Sequence, residues 1–327
     1  MKRRQFIALL GSATVTWPIA ANAQQPGMPV IGYLGAESPV VFASRVRAFR
    51  QGLDETGFVE GRNVAIEFRW AEGQHNKLPA LAAELAGRPV NVIVAPGGAP
   101  AALAAKSATT TIPIIFEMGA DPVAMRLVET LNRPGGNLTG VTSLNVQVTP
   151  KRLQILREVV PGAGTIAVLL NPTSPTTDSQ LRNLQAAADA LGVKLHGLYA
   201  SSEQDFSAAF ETLVQLRPGG LVVASDTFLG THGEQLAALA IRHMVPAIHQ
   251  SRDFAIKGGL MSYAGSFLES HRQAGIQTGR ILKGEKPADL PVQQITKVEL
   301  FINLKAAQQL GITVPPSLLG RADEVFE

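Results

Sequence analysis

The residues of this chain best suited to bind a ligand are polar or aromatic side chains that follow short apolar runs. They include two acids, Asp121 and Asp226, and one indole, Trp70. A carboxylate can pair with an ammonium group, and aromatic rings can enclose an apolar or aromatic body. In parallel α/β sheets, ligands bind in loops beyond the carboxyl ends of the strands. The candidate ligand-binding residues are Ser38, Trp70, Glu72, Gly97, Gly98, Phe116, Asp121, Asn171, Thr173, Asp226 and Tyr263.

Several of these candidates have an equally good structural explanation. Asp121 and Asp226 precede predicted helices, so each is also explained as a helix cap. Phe116 lies in an apolar strand, and a core position explains it better. Trp70 lies where a predicted strand meets Ala71-Glu72-Gly73, and the only other tryptophan is at position 17. A position in the wall of a cleft and a position in the core explain Trp70 equally well.

Sequence motifs typical of enzymes are missing. The chain has no Gly-x-Ser-x-Gly elbow and no Walker A motif. Residues 162–167 resemble a dinucleotide fingerprint but precede a strand, where they cannot place a pyrophosphate at a helix N-terminus. The six histidines lack metal-ligand spacing, and the absence of cysteine excludes disulfides, thiolate metal sites and cysteine nucleophiles. We therefore expect no catalytic centre, no cofactor and no metal.

Residues 1–23 are predicted to be a cleaved signal peptide. A basic stretch at 2–4 precedes the apolar run Phe6–Ala20, and Ala21-Asn22-Ala23 matches a small-x-small cleavage site. Residues 3–7 also resemble a twin-arginine signal, so both that route and general secretion remain open. An uncleaved membrane anchor is the alternative, although the apolar run is short and contains Pro18.

Removal of this signal changes the charge balance of the chain. The signal holds three of the 29 Lys and Arg residues, which leaves 26 against 26 Asp and Glu. The mature chain is thus formally neutral and has no basic run typical of nucleic-acid binding. We expect no nucleic-acid partner.

Apolar strands alternate with helices along the whole chain, a pattern typical of α/β proteins. The first unit is a strand at Val30–Leu34, a loop at Gly35–Pro39 and a helix at about Phe42–Thr56. Asp121 and Pro122 are predicted to begin a helix that ends near Leu131. The pattern starts again after Thr142, and 327 residues exceed the size of most single cores. Two α/β halves imply a cleft between them.

Seven segments of the chain carry a family resemblance. They are Ile31–Leu34 with its Ser-Pro loop, Arg69–Gly73, Ile114–Phe116 with Asp121–Val123, Asn137–Val141, Ile281–Asp289, Phe301–Ala307 and Ile312–Ala322. Together they resemble the substrate-binding proteins of ABC transporters, in the branch of the type I periplasmic binding fold whose characterised members bind aromatic amino acids. The resemblance covers nearly all of the chain after the predicted signal.

This resemblance implies an α/β fold of two doubly wound parallel-sheet lobes joined by a three-segment hinge. Residues 28–143 and 260–285 would form the N-terminal lobe, and residues 144–259 and 286–327 the C-terminal lobe. The chain would cross near 142–148, 254–263 and 286–292. Ligand would close the lobes by a hinge motion, and the closed form would dock on an ABC permease at the inner membrane. Many relatives are lipoproteins with an N-terminal cysteine, which this chain lacks, so we expect a freely diffusing periplasmic monomer without a direct membrane anchor.

The predicted function is a periplasmic solute-binding receptor of an ABC importer, with a small amino acid or organic acid, aromatic ones included, as its ligand. A sensor that binds the same ligand but signals to a partner kinase is the first alternative, and the sequence does not separate the two. A secreted α/β enzyme is the second, although the sequence offers it no nucleophile–base pair or metal cluster.

Overall fold

The structure is a computed structural model that describes residues 27–327. The predicted signal peptide, residues 1–23, lies outside the described residues. Within residues 27–327, no helix is long and apolar enough to cross a membrane.

The described residues form two sheets with thirteen strands in total. The strands are β1 (Val30–Gly35), β2 (Ala65–Trp70), β3 (Val92–Ala95), β4 (Ile114–Met118), β5 (Leu138–Thr142), β6 (Thr165–Leu170), β7 (Lys194–Tyr199), β8 (Leu221–Val223), β9 (Ala247–His249), β10 (Met261–Gly265), β11 (Gln293–Gln294), β12 (Val298–Asn303) and β13 (Glu324–Phe326).

Helices connect these strands and cover both faces of each sheet. They are α1 (Ala43–Glu55), α2 (Leu78–Ala86), α3 (Gly98–Ala108), α4 (Thr149–Val159), α5 (Thr177–Leu191), α6 (Glu203–Leu216), α7 (Thr227–Thr231), α8 (Gly233–Arg242), α9 (Arg252–Ile256), α10 (Phe267–Leu282), α11 (Leu304–Gln309) and α12 (Pro316–Leu319). Two short 3-10 turns lie at His75–Lys77 and Pro287–Asp289.

The first sheet has the strand order β11-β5-β4-β3-β1-β2, and all of its pairs are parallel. Its central strands β3, β4 and β5 are buried along their whole length, as expected when helices cover both faces. The chain leaves β1 for β2 on one side and then returns to β3 on the other. This reversal is the topological switch point at which open α/β sheets bind ligands.

The second sheet repeats this arrangement in the order β13-β12-β10-β9-β8-β6-β7. Strands β6 to β10 are parallel, and the switch point lies between β6 and β8. Strand β12 runs antiparallel to β10, with Met261 opposite Ile302, and β13 adds a parallel edge strand. The predicted fold class, two doubly wound parallel-sheet lobes, is therefore confirmed, with two strands, β12 and β13, that run opposite to the others in the second sheet.

The boundary between the lobes differs from the predicted ranges at two places. Strand β10 pairs with β9 and β12, so Met261–Gly265 belongs to the second sheet and only α10 returns to the first lobe. Strand β11 pairs with β5, so residues 293–294 belong to the first sheet. Leu290 and Ile295 also lie in the first-lobe core. At both places, hydrogen-bonded pairing between strands that are distant in the sequence determines to which lobe the residues belong. A local sequence pattern does not reveal such pairing.

The three crossings between the lobes therefore lie at residues 143–148, at Ser266 and at residues 295–297. They run side by side: the backbone N–H of Gly265 donates to Asn145 Oδ1 (2.7 Å), and the N–H of Ser266 donates to the Lys297 carbonyl (3.2 Å). A side chain at Gly265 would collide with the carbonyl of Ser143. Close backbone packing at this hinge thus requires glycine.

The predicted helix that follows Asp121 is absent, and residues 122–131 form turns instead. The N–H of Met125 donates to the Asp121 carbonyl (3.0 Å), which closes one helix-like turn. Arg126 then adopts a φ of 53°, in the left-handed region, and this conformation ends the turn before a helix can propagate.

Helices α1 and α10 pack closely because glycines face the contact. A side chain at Gly52 would collide with the Arg272 carbonyl, and one at Gly275 with the Phe49 carbonyl. This contact fixes α10 on the first lobe, although the preceding strand β10 belongs to the second. It also brings the start of α10 next to the start of α1, where both helices reach the gap between the lobes.

Candidate functional site

A cavity of about 70 Å³ lies between the two lobes, walled by the loops that follow the switch-point strands. The first lobe contributes the loops after β1, β3 and β4, and the second lobe those after β6, β8 and β9. The lining includes Glu37, Phe42, Arg45, Gly97, Gly98, Glu117, Ala120, Asn145, Ser174, Thr176, Ser225, Asp226, Thr227, Gln250, Ser251 and Phe267. Each loop comes from the carboxyl end of a parallel strand, as the strand-end rule predicts.

The two lobes touch directly across this cavity. Thr227 Oγ1 in the second lobe donates to the carbonyl of Gly97 in the first (3.2 Å). Gly98 has a φ of +72°, and a Cβ there would lie 2.9 Å from Thr227 Oγ1. Gly98 thus satisfies both a left-handed backbone conformation and a close approach between the lobes.

The first-lobe side of the cavity carries two buried carboxyl groups and one guanidinium. Glu37 and Glu117 are 2% and 4% exposed. Arg45 Nη1 lies 3.6 Å from Glu37 Oε1. The Arg45 guanidinium is held between two aromatic rings, 4.7 Å from the centroid of Phe42 and 4.3 Å from that of Phe267. These cation–π contacts fix the only basic side chain among the described lining residues.

Burial dominates the protonation of both carboxyl groups. It raises the pKa of Glu37 to about 7, although the Arg45 charge acts in the opposite direction. Burial likewise raises the pKa of Glu117 to about 7, against a hydrogen bond from Ser270 Oγ (2.9 Å) and the Arg45 charge. Each group is therefore partly protonated near neutral pH until a cation approaches it.

The second-lobe side of the cavity is backed by a fully buried arginine. Arg152 donates from Nε to the Tyr263 carbonyl (2.6 Å), from Nη1 to Ser225 Oγ (2.8 Å) and Thr149 Oγ1 (3.2 Å), and from Nη2 to the Asn145 carbonyl (3.0 Å). Burial lowers its pKa to about 9, which still leaves it charged at neutral pH. Ser225 and Asn145, which it holds, both line the cavity.

A hydrogen-bond network fixes the other polar groups on this side. The Gln180 amide accepts from the backbone N–H of Ser225 (2.8 Å) and donates to the Ser225 carbonyl (2.8 Å). Asp226 caps α7: its Oδ1 accepts from the N–H of Leu229 (3.0 Å) and from Asn171 Nδ2 (3.1 Å). The second-lobe wall is thus held rigidly by its own hydrogen bonds.

The family to which the chain belongs follows from a match over almost all of the described residues. The model of the family described as "ABC transporter substrate binding protein" matches residues 38–326. The chain belongs to this family.

Relatives of this substrate-binding protein include two with stated ligands. The "Tyrosine-binding protein" of Clostridioides difficile is 25% identical over 258 residues, which cover 79% of this chain and 73% of that protein. The ABC domain from Streptococcus pneumoniae in complex with L-Trp is 26% identical, with a TM-score of 0.84 over 91% of this chain and 99% of that one.

The whole structure is more similar to that of the L-Trp complex than to that of a ligand-free relative. The ligand-free, open structure of a substrate-binding protein with adhesive properties from Clostridium difficile is 25% identical over the same 91% and 99% of the two chains, but its TM-score is 0.66.

Three of the predicted site residues line the cavity: Gly97, Gly98 and Asp226. Three others line a second, wider crevice between the lobes, of about 640 Å³. These are Glu72 from the first lobe and Asn171 and Thr173 from the second. The two spaces share a wall, since Asn171 is hydrogen-bonded to Asp226.

The other five predicted residues lie outside the cavity wall. Trp70 packs in an aromatic cluster with Tyr33 and Phe68, at centroid distances of 5.5 and 5.7 Å, and its ring lies 5.9 Å from that of Phe42, so it contacts the cavity wall without lining it. Phe116 is core and Tyr263 packs against the second-lobe core. Asp121 Oδ1 accepts from the N–H of Val123 (2.8 Å), so it caps a turn. Ser38 lies beside the cavity, where its carbonyl accepts from the N–H of Phe42 (3.1 Å).

Sequence reasoning missed Glu37, Arg45 and Glu117, three of the four charged residues that line the cavity. Glu37 lies inside the predicted loop Gly35–Pro39, in which only its neighbour Ser38 is a predicted site residue. Glu117 carried a readable signal, because it is the one charged residue within the buried strand β4. Asn145 and Arg152 had no comparable local signal. Elsewhere in residues 27–327, no group of three or more His, Cys, Asp or Glu is placed to hold a metal ion.

Proposed function

We propose that this substrate-binding protein is the solute receptor of an ABC importer and that it clamps an amino acid, preferably an aromatic one, between its lobes. The observation that carries the proposal is the interlobe cavity, whose wall combines buried carboxyl groups with hydrogen-bond donors. Such a wall suits a small ligand with charged groups of both signs. Phe42 and Phe267 add aromatic surface, and the relatives named for tyrosine and L-Trp support an aromatic side chain.

Binding at this place would favour the closed arrangement of the lobes. A ligand in the cavity contacts loops of both lobes, whereas in an open arrangement it contacts only one. A ligand shifts such an equilibrium by as much as its affinities for the two arrangements differ. Closure on the ligand is the event that a permease would recognise.

The wider setting of the protein is part of the same proposal. We expect residues 1–23 to direct export to the periplasm, by the twin-arginine or the general secretion route. The mature chain would diffuse there as a monomer, without a membrane anchor, and would deliver its ligand to a permease at the inner membrane. The formal neutrality of the mature chain fits this role.

A thermal-shift screen of the purified mature protein tests the proposed ligand class. The screen contains the twenty amino acids and a set of aromatic and aliphatic carboxylates without an amino group. A ligand at 100 times its dissociation constant stabilises a protein by about 2.7 kcal/mol, which gives a clear rise in melting temperature. We expect the largest rise with an aromatic amino acid. No rise with any amino acid would contradict the proposal.

Asp226 was the acid first expected to pair with a ligand ammonium group. If it does, Asp226→Asn should weaken amino-acid binding by about 1.5–3 kcal/mol and leave simple carboxylates unaffected. Because Asp226 Oδ1 already caps α7, we expect a smaller effect, equal for both ligand types. Titration calorimetry with one amino acid and its deaminated analogue distinguishes these results.

A further inference from the structure

Two buried polar atoms in the cavity wall have no hydrogen-bond partner among residues 27–327. They are Glu37 Oε2 and Asn145 Nδ2. Both residues are 2% exposed and both line the cavity. One atom is an acceptor on an acid and the other is an amide donor. Because an unpaired buried polar group is costly, each of these atoms needs a partner of the opposite kind.

The charges behind these two atoms have opposite signs. Glu37 lies with Glu117 on the first-lobe side, where the single guanidinium of Arg45 faces two carboxyl groups. Asn145 is backed by Arg152, whose four hydrogen bonds all go to neutral oxygens. One of these oxygens is the Asn145 carbonyl itself. The cavity therefore has an end that favours a cation and an end that favours an anion.

We propose that Glu37 binds the ammonium group of the ligand and that Asn145 binds its carboxylate, so that the cavity selects zwitterionic α-amino acids over molecules with only one of these groups. The inference rests on the proposed function and names the two residues that set its ligand class. Arg152 does not line the cavity, so it is a positioning residue that acts through Asn145.

Two other assignments are less well supported by the contacts. Asp226 is a second candidate for the ammonium group: its Oδ1 accepts two hydrogen bonds that cap α7 and hold Asn171, and its Oδ2 accepts none from residues 27–327, so the Asp226→Asn comparison below decides between the two acids. Arg45 is a second candidate for the carboxylate, but it stacks between Phe42 and Phe267 and lies 3.6 Å from Glu37. Neither residue has an unpaired buried side-chain atom of the kind found on Glu37 and Asn145.

The test uses three probes that differ only in their charged groups. L-tyrosine carries both groups, 3-(4-hydroxyphenyl)propanoate lacks the ammonium, and tyramine lacks the carboxylate. Each is titrated by calorimetry at pH 7.5 into the mature wild-type protein and into the variants Glu37→Gln and Asn145→Asp. Asn145→Asp keeps the oxygen that accepts from the N–H of Gly265, while it removes the donor and adds a negative charge.

We expect each variant to act on one charged group only. Glu37→Gln should lower the affinity for L-tyrosine and for tyramine by about tenfold to a hundredfold, because a charge-assisted hydrogen bond to the ammonium group is lost. It should not lower the affinity for the propanoate, which has no ammonium group. Asn145→Asp should weaken L-tyrosine and the propanoate and should not weaken tyramine. Glu84→Gln is the matched control, because Glu84 pairs with Arg69 at the surface of the same lobe. It should leave all three affinities unchanged.

The outcomes separate the inference from the function on which it rests. Binding of L-tyrosine that Glu37→Gln leaves unchanged, or weakens equally for all three probes, overturns the inference and keeps the receptor. The inference would also be overturned if Asp226→Asn, and not Glu37→Gln, lowered the affinity for L-tyrosine and tyramine but not for the propanoate. If Asn145→Asp does not fold, the wild-type protein tests the inference instead. We then expect it to bind L-tyrosine at least about tenfold more tightly than either probe that has a single charged group, and equal affinities would overturn the inference. If none of the three probes and no amino acid of the screen binds, both proposals fail.

Discussion

The two lobes present different kinds of surface to the cavity between them. On the second-lobe side, hydrogen bonds join Arg152, Ser225 and Gln180, and two further hydrogen bonds, from Leu229 and Asn171, hold Asp226 before any ligand arrives. On the first-lobe side, Glu37 retains an unpaired oxygen, and burial raises the pKa values of both carboxyl groups. The four strands around each switch point have the same order, β4-β3-β1-β2 in the first sheet and β9-β8-β6-β7 in the second, so the difference comes from the loops and not from these strands.

This difference assigns distinct roles to the two lobes. The second-lobe wall is preorganised, so it loses little conformational freedom when a ligand binds. The first-lobe wall contains buried carboxyl groups that become favourable only when a positive charge lies beside them. Geometry is therefore fixed on one side, and ionic selectivity resides mainly on the other.

Removal of the buried arginine should have the largest effect on stability, because it disrupts the hydrogen-bond network of the second-lobe wall. Arg152→Leu removes the guanidinium donor from the Tyr263 carbonyl and from Ser225 Oγ, whereas the Asn145 carbonyl keeps its hydrogen bonds from Ser225 Oγ and Thr149 Oγ1. We expect the free energy of unfolding to fall by about 3 kcal/mol or more, because each buried acceptor left unpaired costs about 1–3 kcal/mol. Urea unfolding of the mature protein measures this change.

The matched control for this variant is Arg321→Leu. Arg321 is 48% exposed and pairs with Glu158 at the surface, so its loss should change stability by less than about 1 kcal/mol. Equal effects of the two substitutions would contradict the structural role of Arg152.

The pH dependence of stability should sharpen the comparison on the first-lobe side. The pKa values of Glu37 and Glu117 rise from an ordinary 4.5 to about 7, so the folded state holds these protons more tightly than the unfolded state. Stability from each group is thus complete below pH 4.5 and is lost as the pH rises through 7. Each contributes up to about 3 kcal/mol across this range. The charges that act on Glu37 are those of Arg45, Asp226, Glu117 and Asp253.

We therefore expect Glu37→Gln to flatten the loss of stability between pH 5 and pH 8 in the ligand-free protein. Urea unfolding at both pH values, beside the control Glu84→Gln, measures the difference from wild type. A hydrogen bond from Arg69 lowers the pKa of Glu84, an effect of the opposite sign at an exposed site. A wild-type pH profile in Glu37→Gln would show that Glu37 is not buried in solution.

The smallest effect on binding should come from Trp70. Trp70→Phe alters a ring that packs 5.9 Å from Phe42 but does not itself line the cavity, so the affinity for the best amino acid should stay within about twofold of wild type. Phe267→Leu, which changes a ring that lines the cavity and holds Arg45, should weaken the same ligand several-fold. Titration calorimetry compares the two. A larger loss of affinity with Trp70→Phe than with Phe267→Leu would show that Trp70 contacts the ligand.

Much of the fold could be predicted because it depends on local patterns. The apolar runs located the main strands, their alternation with helices predicted two α/β halves, and the family resemblance implied that the halves are doubly wound lobes. The turn after Asp121 was mistaken for a helix because the left-handed conformation of Arg126 has no signature in the sequence. The pairing of β10 with β12 and of β11 with β5 could not be predicted either, because each pair joins strands that are not consecutive in the sequence.

The site was predictable in position but less so in chemistry. The strand-end rule found Gly97, Gly98 and Asp226 because it depends only on where strands stop. It also selected Trp70, whose ring lies over Gly35 and not in the cavity, because the direction of a side chain depends on the exact strand end. Arg152 lies on a helix face that looks like any amphipathic face until tertiary packing buries it.

The most direct test of the account is a crystal structure of the mature protein grown with the amino acid that gives the largest thermal shift. We predict electron density for the ligand in the interlobe cavity, with its ammonium group at Glu37 and its carboxylate at Asn145. Density in the wider crevice lined by Glu72 and Thr173, or at any other place outside the cavity, would contradict the central claim.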